Sequence, residues 1–449
     1  MASTYLSRTQ SASSTRTKCT LSAWIKRGKF NNSAYHFFVS SYISNSDRMG
    51  FYFNTGDTLD IYSPNFHVAT NRVFRDPNAW LHVVYRIDTT HGNASDRIRI
   101  YVNGELQTSL GQTSYPTQNY NLEFGTSSHN MYIGNYDGSQ HYFDGSMSHV
   151  HFLDGEDRDA SYFGETDATT GEWKIKTNVT GVNYGTNGFA ILKDGNTITD
   201  QSSNSNNFTL GGGTLTKTED CPSNVFCTLN RLNSDQPTGS VNIQYGNTGF
   251  EDGENGSNFS YVSGTLGANS GKFYWETKVI DLAEIDQVGV ALASSNFMGA
   301  ANSNGLQATT YGGKGCQFSN GYKVGDGSGG AYMGGFSAND IMMIALDLDN
   351  NKITFGRNGQ WADGSGNANQ TYANSTPAYT NLTAGEFYFP AQAKRAYGAN
   401  YGTNWYNFGN GYFQTTAVSS AGTNASGNGI FEYDVPTGFT ALSTKGLNL

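Results

Sequence analysis

Charge is scarce in this chain of 449 residues: Asp, Glu, Lys and Arg together make up only 14% of it. An ordinary soluble domain carries roughly 25%. With few Lys, Glu and Leu there are few stretches of good helix formers, which argues against a helical fold. No apolar run approaches the about 18 residues that span a bilayer, so membrane insertion is not expected. The charge that is present sums to −10, with a pI near 5.2. That balance supplies no basic face for nucleic acid. Cysteine occurs four times, too rarely for a disulfide framework. Reduced thiols, consistent with folding in a cytoplasm, are expected, and Cys221–Cys227 is the pairing that would be the exception. Histidine is absent beyond position 151 and no CxxC pair exists, which leaves no zinc pattern.

What the chain has in excess is Gly (55 residues), Asn, Ser, Thr, Tyr and Phe, with aromatics at 14%. These residues make strands and the turns between them. The aromatics are numerous enough to fill sandwich cores. The composition predicts an all-β protein long enough for two or three domains.

Strand-like runs fill residues 18–165: TLSAWIKRG (20–28), YHFFVSSYI (35–43), MGFYFNTG (49–56), LDIYS (59–63), WLHVVYRID (80–88), DRIRIYVNGEL (96–106), NMYIGNY (130–136) and DGSMSHVHFLDGE (144–156). From Arg97 to Val102 the pattern alternates strictly, with Ile98, Ile100 and Val102 on one side. Asn103-Gly104 follows at once, the strongest short hairpin signal. Residues 166–238 are rich in Gly, Asn and Ser and predict an irregular connector or small β subdomain. Strand patterns resume over 239–415, with KFYWETKVI (272–280), QVGVALAS (287–294), DIMMIALDLDNNKITFGRNGQW (340–361) and EFYFPAQAK (386–394). Residues 1–17 are expected to form a polar N-terminal arm and 416–449 a C-terminal tail. The expected architecture is two antiparallel, jelly-roll-like β-sandwiches joined by the connector.

TLSAWIKRG, Trp80-Leu81-His82-Val83-Val84, IRIYVNGEL and YFDGSMSHVHFLDGE make the first segment resemble the concanavalin A-like, laminin-G-type jelly roll. SGKFYWETKV, VGVAL and IALDLDNNKITFGRNGQ make the third resemble the SPRY (B30.2-like) sandwich. YGTNGF, DQSSNSNNF and CPSNVFCTLN, after a FLDG-type sandwich end, are similar to virion proteins of tailed phages, many from marine bacteria. That resemblance implies a virion surface protein: a tail fibre, tail-associated adhesin or capsid fibre. Its expected partners are other virion proteins and host envelope carbohydrate, in a homo-oligomer of which the trimer is the commonest fibre form. The first twenty residues lack the apolar core of a secretory signal, so exit is expected by release of assembled particles at lysis. The alternative is a purely structural decoration or connector protein, and a polysaccharide depolymerase is a third.

No catalytic set is expected. Related jelly rolls hydrolyse glucans with an E-x-D-x-x-E strand, and paired carboxylates do the work. Glu284-Ile285-Asp286-Gln287-Val288-Gly289 lacks the second glutamate and lies in the wrong segment. Asp326-Gly327-Ser328-Gly329-Gly330 has a serine but no histidine in its domain to act as base. His149 and His151, two apart on a strand, are expected to share a face without a third metal ligand. Calcium is the metal for which suitable oxygens exist, with Asp137 and Asp144 as first candidates. Aromatics in polar loops suit stacking on sugar rings. They are Tyr136 and Tyr142 in the first sandwich, and Tyr397, Tyr401 and Trp405 in the second. Trp24, Trp80 and Trp275 are expected in the cores.

Overall fold

The computed structural model describes residues 3–30, 34–176, 179, 181–193, 197–235, 241–252, 259–295, 304–325, 327–395 and 402–449. The chain is all-β and divides into two compact units, residues 1–217 and 218–449.

In the first unit the strands are β1 (Tyr5–Thr9), β2 (Lys18–Arg27), β3 (His36–Ser44), β4 (Asp47–Phe53), β5 (Thr58–Ser63), β6 (Phe66–Val73), β7 (Trp80–Asp88), β8 (Ile98–Val102), β9 (Glu105–Leu106), β10 (Leu110–Ser114), β11 (Asn130–Ile133), β12 (Gly145–Asp154), β13 (Gly164–Thr166), β14 (Trp173–Ile175), β15 (Phe189–Ile191) and β16 (Thr209–Gly212). One sheet runs β10-β6-β5-β4-β3-β11-β1-β16, the other β15-β12-β2-β7-β8-β9. Their inner faces bury Phe38, Phe51 and Ile61 against Leu21, Tyr85 and Ile100. The alternation in β8 is as expected: Ile98, Ile100 and Val102 are buried and Arg99 and Tyr101 are half-exposed. Asn103 and Gly104 have φ of +48° and +82°, the two positive values a type I′ hairpin needs.

Three boundaries differ from the sequence reading. Residues 5–9 are not a free arm but β1, paired on both sides by β11 and β16, with Leu6 opposite Ile133. The strand reads as a tail because Leu6 is its one core residue, while the strands that pair with it are far away in sequence. The expected connector is divided at residue 217. Within it, β15 and β16 extend the two sheets. Phe163, Trp173 and Tyr184, from the stretch after β12, pack over Val84 and Leu153 on the outer face of the six-stranded sheet. Trp173 lies flat on Gly104 and Gly164, where a Cβ would come within 2.6 and 2.5 Å of its ring.

In the second unit one sheet contains Ser260–Gly264, Tyr388–Arg395 and Ile285–Leu292, and the other Thr403–Asn407, Lys272–Asp281, Ile341–Asp347 and Lys352–Arg357. Trp275, Ile344, Phe355, Val288 and Val290 fill the space between them. The expected tail is also structural: Phe431, Val435 and Phe439 pack on Tyr274, Met343 and Trp361, on the sheet's outer face. Buried Glu276 holds that segment by accepting the backbone N–H groups of Glu432 and Tyr433, both at 2.9 Å. Cys227 is buried in the core and Cys221 is half-buried in a short turn bridged to Asn224, and the two form no disulfide.

A polar network crosses this core. Lys394 and Asp286, both fully buried, pair at 3.4 Å. Gln392 and Asn404 donate to the Asp286 carboxylate at 2.6 and 2.9 Å, and the Tyr406 hydroxyl donates to Gln392 at 2.6 Å. Lys394→Met alone strands the Asp286 charge and should lower stability by roughly 3–5 kcal/mol. Adding Asp286→Asn should recover most of that in urea denaturation. A single-variant loss under about 1 kcal/mol would show that the network contributes nothing specific.

Candidate functional site

The outer face of the eight-stranded sheet is aromatic where β3, β4 and β5 run side by side. Residue alternation puts Met49, Phe51 and Phe53 into the core, and therefore Arg48, Gly50 and Tyr52 outward. Register sets Tyr42 opposite Arg48, Phe37 opposite Tyr52 and Tyr62 opposite Gly50. Gly50 has a packing role, since a Cβ there would lie 2.4 Å from the Phe37 ring. Its absence lets Phe37 lie across the sheet and stack on Tyr52 at 4.4 Å.

A loop folds down onto this floor. The Ser40 hydroxyl donates to the carbonyls of Asn135 and Tyr136 at 3.1 and 2.6 Å. Tyr136 thereby meets Phe37 at 4.7 Å and Tyr42 at 5.2 Å between ring centroids. It is only 7% exposed, and burial pushes its hydroxyl up to about 12. The sequence reading of Tyr136 as an open stacking ring is corrected, because cross-strand aromatic neighbours draw it under. Tyr142 is half-buried against Tyr5 at 6.1 Å. The half-open surface is made by Tyr42, Tyr62 and Arg48, which sequence reasoning missed. A partial signal was present in β4 and β5, where Arg48 and Tyr52 alternate with core Met49, Phe51 and Phe53, and Tyr62 follows core Ile61, whereas β3 has no regular alternation to place Tyr42.

The Asp137 carboxylate is occupied by its own turn, accepting from the backbone and side chains of Ser139 and Gln140. Asp144 faces Lys29 at 3.6 Å. Among the described residues no three His, Cys, Asp or Glu side chains group as metal ligands. His149 and His151 do not share a regular strand face, since the register shifts there and His149 has φ of +48°. Trp405 lies on the outer face of its strand, half-buried beside Tyr245 at 6.4 Å. Tyr397, Tyr401 and Asp326 lie outside the described residues, as does the Ser328 side chain.

One arrangement looks nucleophilic. Ser22 Oγ lies 2.9 Å from His82 Nε2, both groups fully buried. Trp173 Nε1 donates to His82 Nδ1 at 2.9 Å. An indole N–H can only donate, so Nδ1 is the acceptor and Nε2 carries the proton. His82 therefore donates to Ser22 and cannot take its proton. Burial lowers His82 to about 3. Glu284 and Asp286 form no acid–nucleophile pair either: Glu284 is exposed beside Arg395 at 3.8 Å, while Asp286 is held by Lys394. A cleft of about 190 Å³ beside His151, Tyr184, Lys193 and Ser202 is smaller than the roughly 300–1,000 Å³ of most ligand pockets.

Residues 2–160 match the family model of the concanavalin A-like lectin/glucanases superfamily. The aromatic face belongs to this concanavalin A-like segment. No curated protein matches the chain. Among solved structures, the SPRY domain of human HERC1 is similar over 40% of this chain and 96% of its own, at 15% identity and TM-score 0.31. A second human SPRY domain is similar over 37% and 93%, at 10% identity and TM-score 0.26. Stonustoxin is similar over 40% and 27%, at 14% identity and TM-score 0.30.

Gly50→Val should unseat Phe37 and loosen residues 135–142, at about 1–3 kcal/mol. Faster hydrogen exchange in that loop, with β7 unchanged, is the expected reading. Acid should act elsewhere in the concanavalin A-like unit. His82 and His151 are held near 3 by burial, below the ordinary value of 6.5. Their neutral forms stabilise the fold fully above about pH 6.5, and that contribution is lost as pH falls toward 3. Exchange protection of β7 should therefore drop on acidification, and His82→Gln should flatten the drop.

Proposed function

We propose that this chain is a non-enzymatic surface protein of a tailed-phage virion that binds host envelope carbohydrate. The observation that carries the binding reading is the half-open face of Tyr42, Tyr62 and Arg48 over a buried floor of Phe37, Tyr52 and Tyr136. Rigid aromatic faces suit the apolar faces of sugar rings, and little side-chain entropy is lost on binding. The match of residues 2–160 to a lectin/glucanase superfamily supports it. The non-enzymatic reading is supported by the tautomer of neutral His82, which donates to Ser22, and by the separate engagements of Glu284 and Asp286. The virion assignment rests on the likeness of the chain's segment order to phage proteins.

A structural role in the particle is the second reading. Strand β10 forms an edge of the eight-stranded sheet and carries neither charge nor proline in Leu110–Ser114. Such edges accept another strand, which suits contact with other virion subunits or with copies in a homo-oligomer.

The test uses the labelled full chain with host cells and their extracted polysaccharides, scoring binding and reducing-end release together. Saturable binding without sugar release is expected. Tyr42→Ala with Tyr62→Ala should weaken binding roughly tenfold or more, at about 0.5–1.5 kcal/mol per ring. Release of sugar would overturn the non-enzymatic reading, and absence of binding to any host material would favour the structural one.

A further inference from the structure

We infer that the aromatic face recognises acidic polysaccharide, with Arg48 as the group that takes the sugar carboxylate. This rests on the carbohydrate-binding reading and adds the chemical class of the ligand. Arg27, Arg75, Arg86, Arg99 and Arg158 each sit on an Asp or Glu of the same unit, at 2.6–2.9 Å. Arg8, Arg16 and Arg97 are engaged by carbonyl or amide oxygens and Arg72 lies over Phe74, whereas Arg48, also with no carboxylate within ion-pair distance among the described residues, sits on the aromatic face. Its guanidinium lies between two rings, 5.6 Å from the centre of Tyr62 and 5.5 Å from that of Tyr136. Nη1 donates to Asn45 Oδ1 at 2.8 Å and Nε is buried out of a ligand's reach, which leaves the terminal N–H groups of the guanidinium to meet one.

The neighbouring acids are otherwise engaged. Asp60 is buried and accepts from His67, Asn54 and Thr58. Asp47 pairs with His129 at 3.2 Å, and Asp137 is held in its own turn. A guanidinium held by flanking rings, with N–H groups to spare, matches a carboxylate that arrives with a ligand. The protein carries a net charge of −10, so its overall field opposes a polyanion and the attraction assigned here is local, at Arg48. Tyr42 and Tyr62, half-open beside it, supply the stacking surface for the same sugar ring. Charge complementarity and ring stacking thus converge on a uronate-bearing glycan rather than a neutral one.

The experiment compares binding of the full chain to polygalacturonate and alginate with binding to the same polymers after chemical reduction of their carboxyl groups. Wild type should prefer a carboxylated form by roughly tenfold or more, as expected for a charge-assisted hydrogen bond. Arg48→Gln, which can still bond Asn45, should erase the preference while keeping the residual binding to the reduced polymer. Arg48→Lys should restore part of it. Near-ultraviolet circular dichroism should be unchanged in both variants. Equal binding of both polymer forms, or a preference that survives Arg48→Gln, would overturn the role of Arg48 and leave the stacking face standing. Binding to neither form would overturn this inference, while binding to host polysaccharide decides the stacking face separately.

Discussion

A β-sheet has two faces, and in this protein both are too apolar to leave in water. That constraint organises each unit beyond its central core. Val84, Leu153 and Trp24 line the outer side of one sheet in the first unit, and Tyr274, Met343 and Trp361 that of one sheet in the second. Each buried aromatic or aliphatic side chain is worth about 1.5–3 kcal/mol relative to exposure, so a segment that covers such a face is held firmly even without regular structure. The stretch after β12 covers the first, and the C-terminal segment covers the second. Both are polar in composition, with a few large residues placed where the sheet offers apolar surface.

The candidate site lies where this covering is incomplete. On the eight-stranded sheet the loop 135–142 buries Phe37 and Tyr52 but leaves Tyr42, Tyr62 and Arg48 half-open. The loop is pinned by Ser40, and the floor is flat because Gly50 has no side chain. A surface built this way is preorganised: rings are fixed by other rings before any ligand arrives. Arg48 fits the same logic, because the tyrosines that flank it also limit the conformations its long side chain can take.

Buried polar groups elsewhere are locked in place. His82 bridges Ser22 and Trp173 as a neutral ring, and Asp286 is enclosed by Lys394, Gln392 and Asn404. Both ring nitrogens of His82 and both carboxylate oxygens of Asp286 are engaged in these contacts. The Asp286 network ties the two sheets of the second unit together, and the His82 network ties one sheet of the first unit to the segment that covers it.

The sequence by itself determined the all-β class, the sandwich strands and the Asn103-Gly104 turn. Alternation with period two, and the positive φ that Asn-Gly accepts, are local properties. It also determined that Ile98, Ile100 and Val102 face inward. Only the tertiary structure decided that residues 5–9 are a paired strand and that the apparent connector and tail are covers. Only the tertiary structure decided that Tyr136 is floor while Tyr42, Tyr62 and Arg48 are surface. Those outcomes depend on which strands lie side by side and on which apolar face lacks a neighbour. Both are set by contacts between residues far apart in the chain, such as Ser40 with Asn135 or Glu276 with Glu432, and no local pattern of residues encodes them.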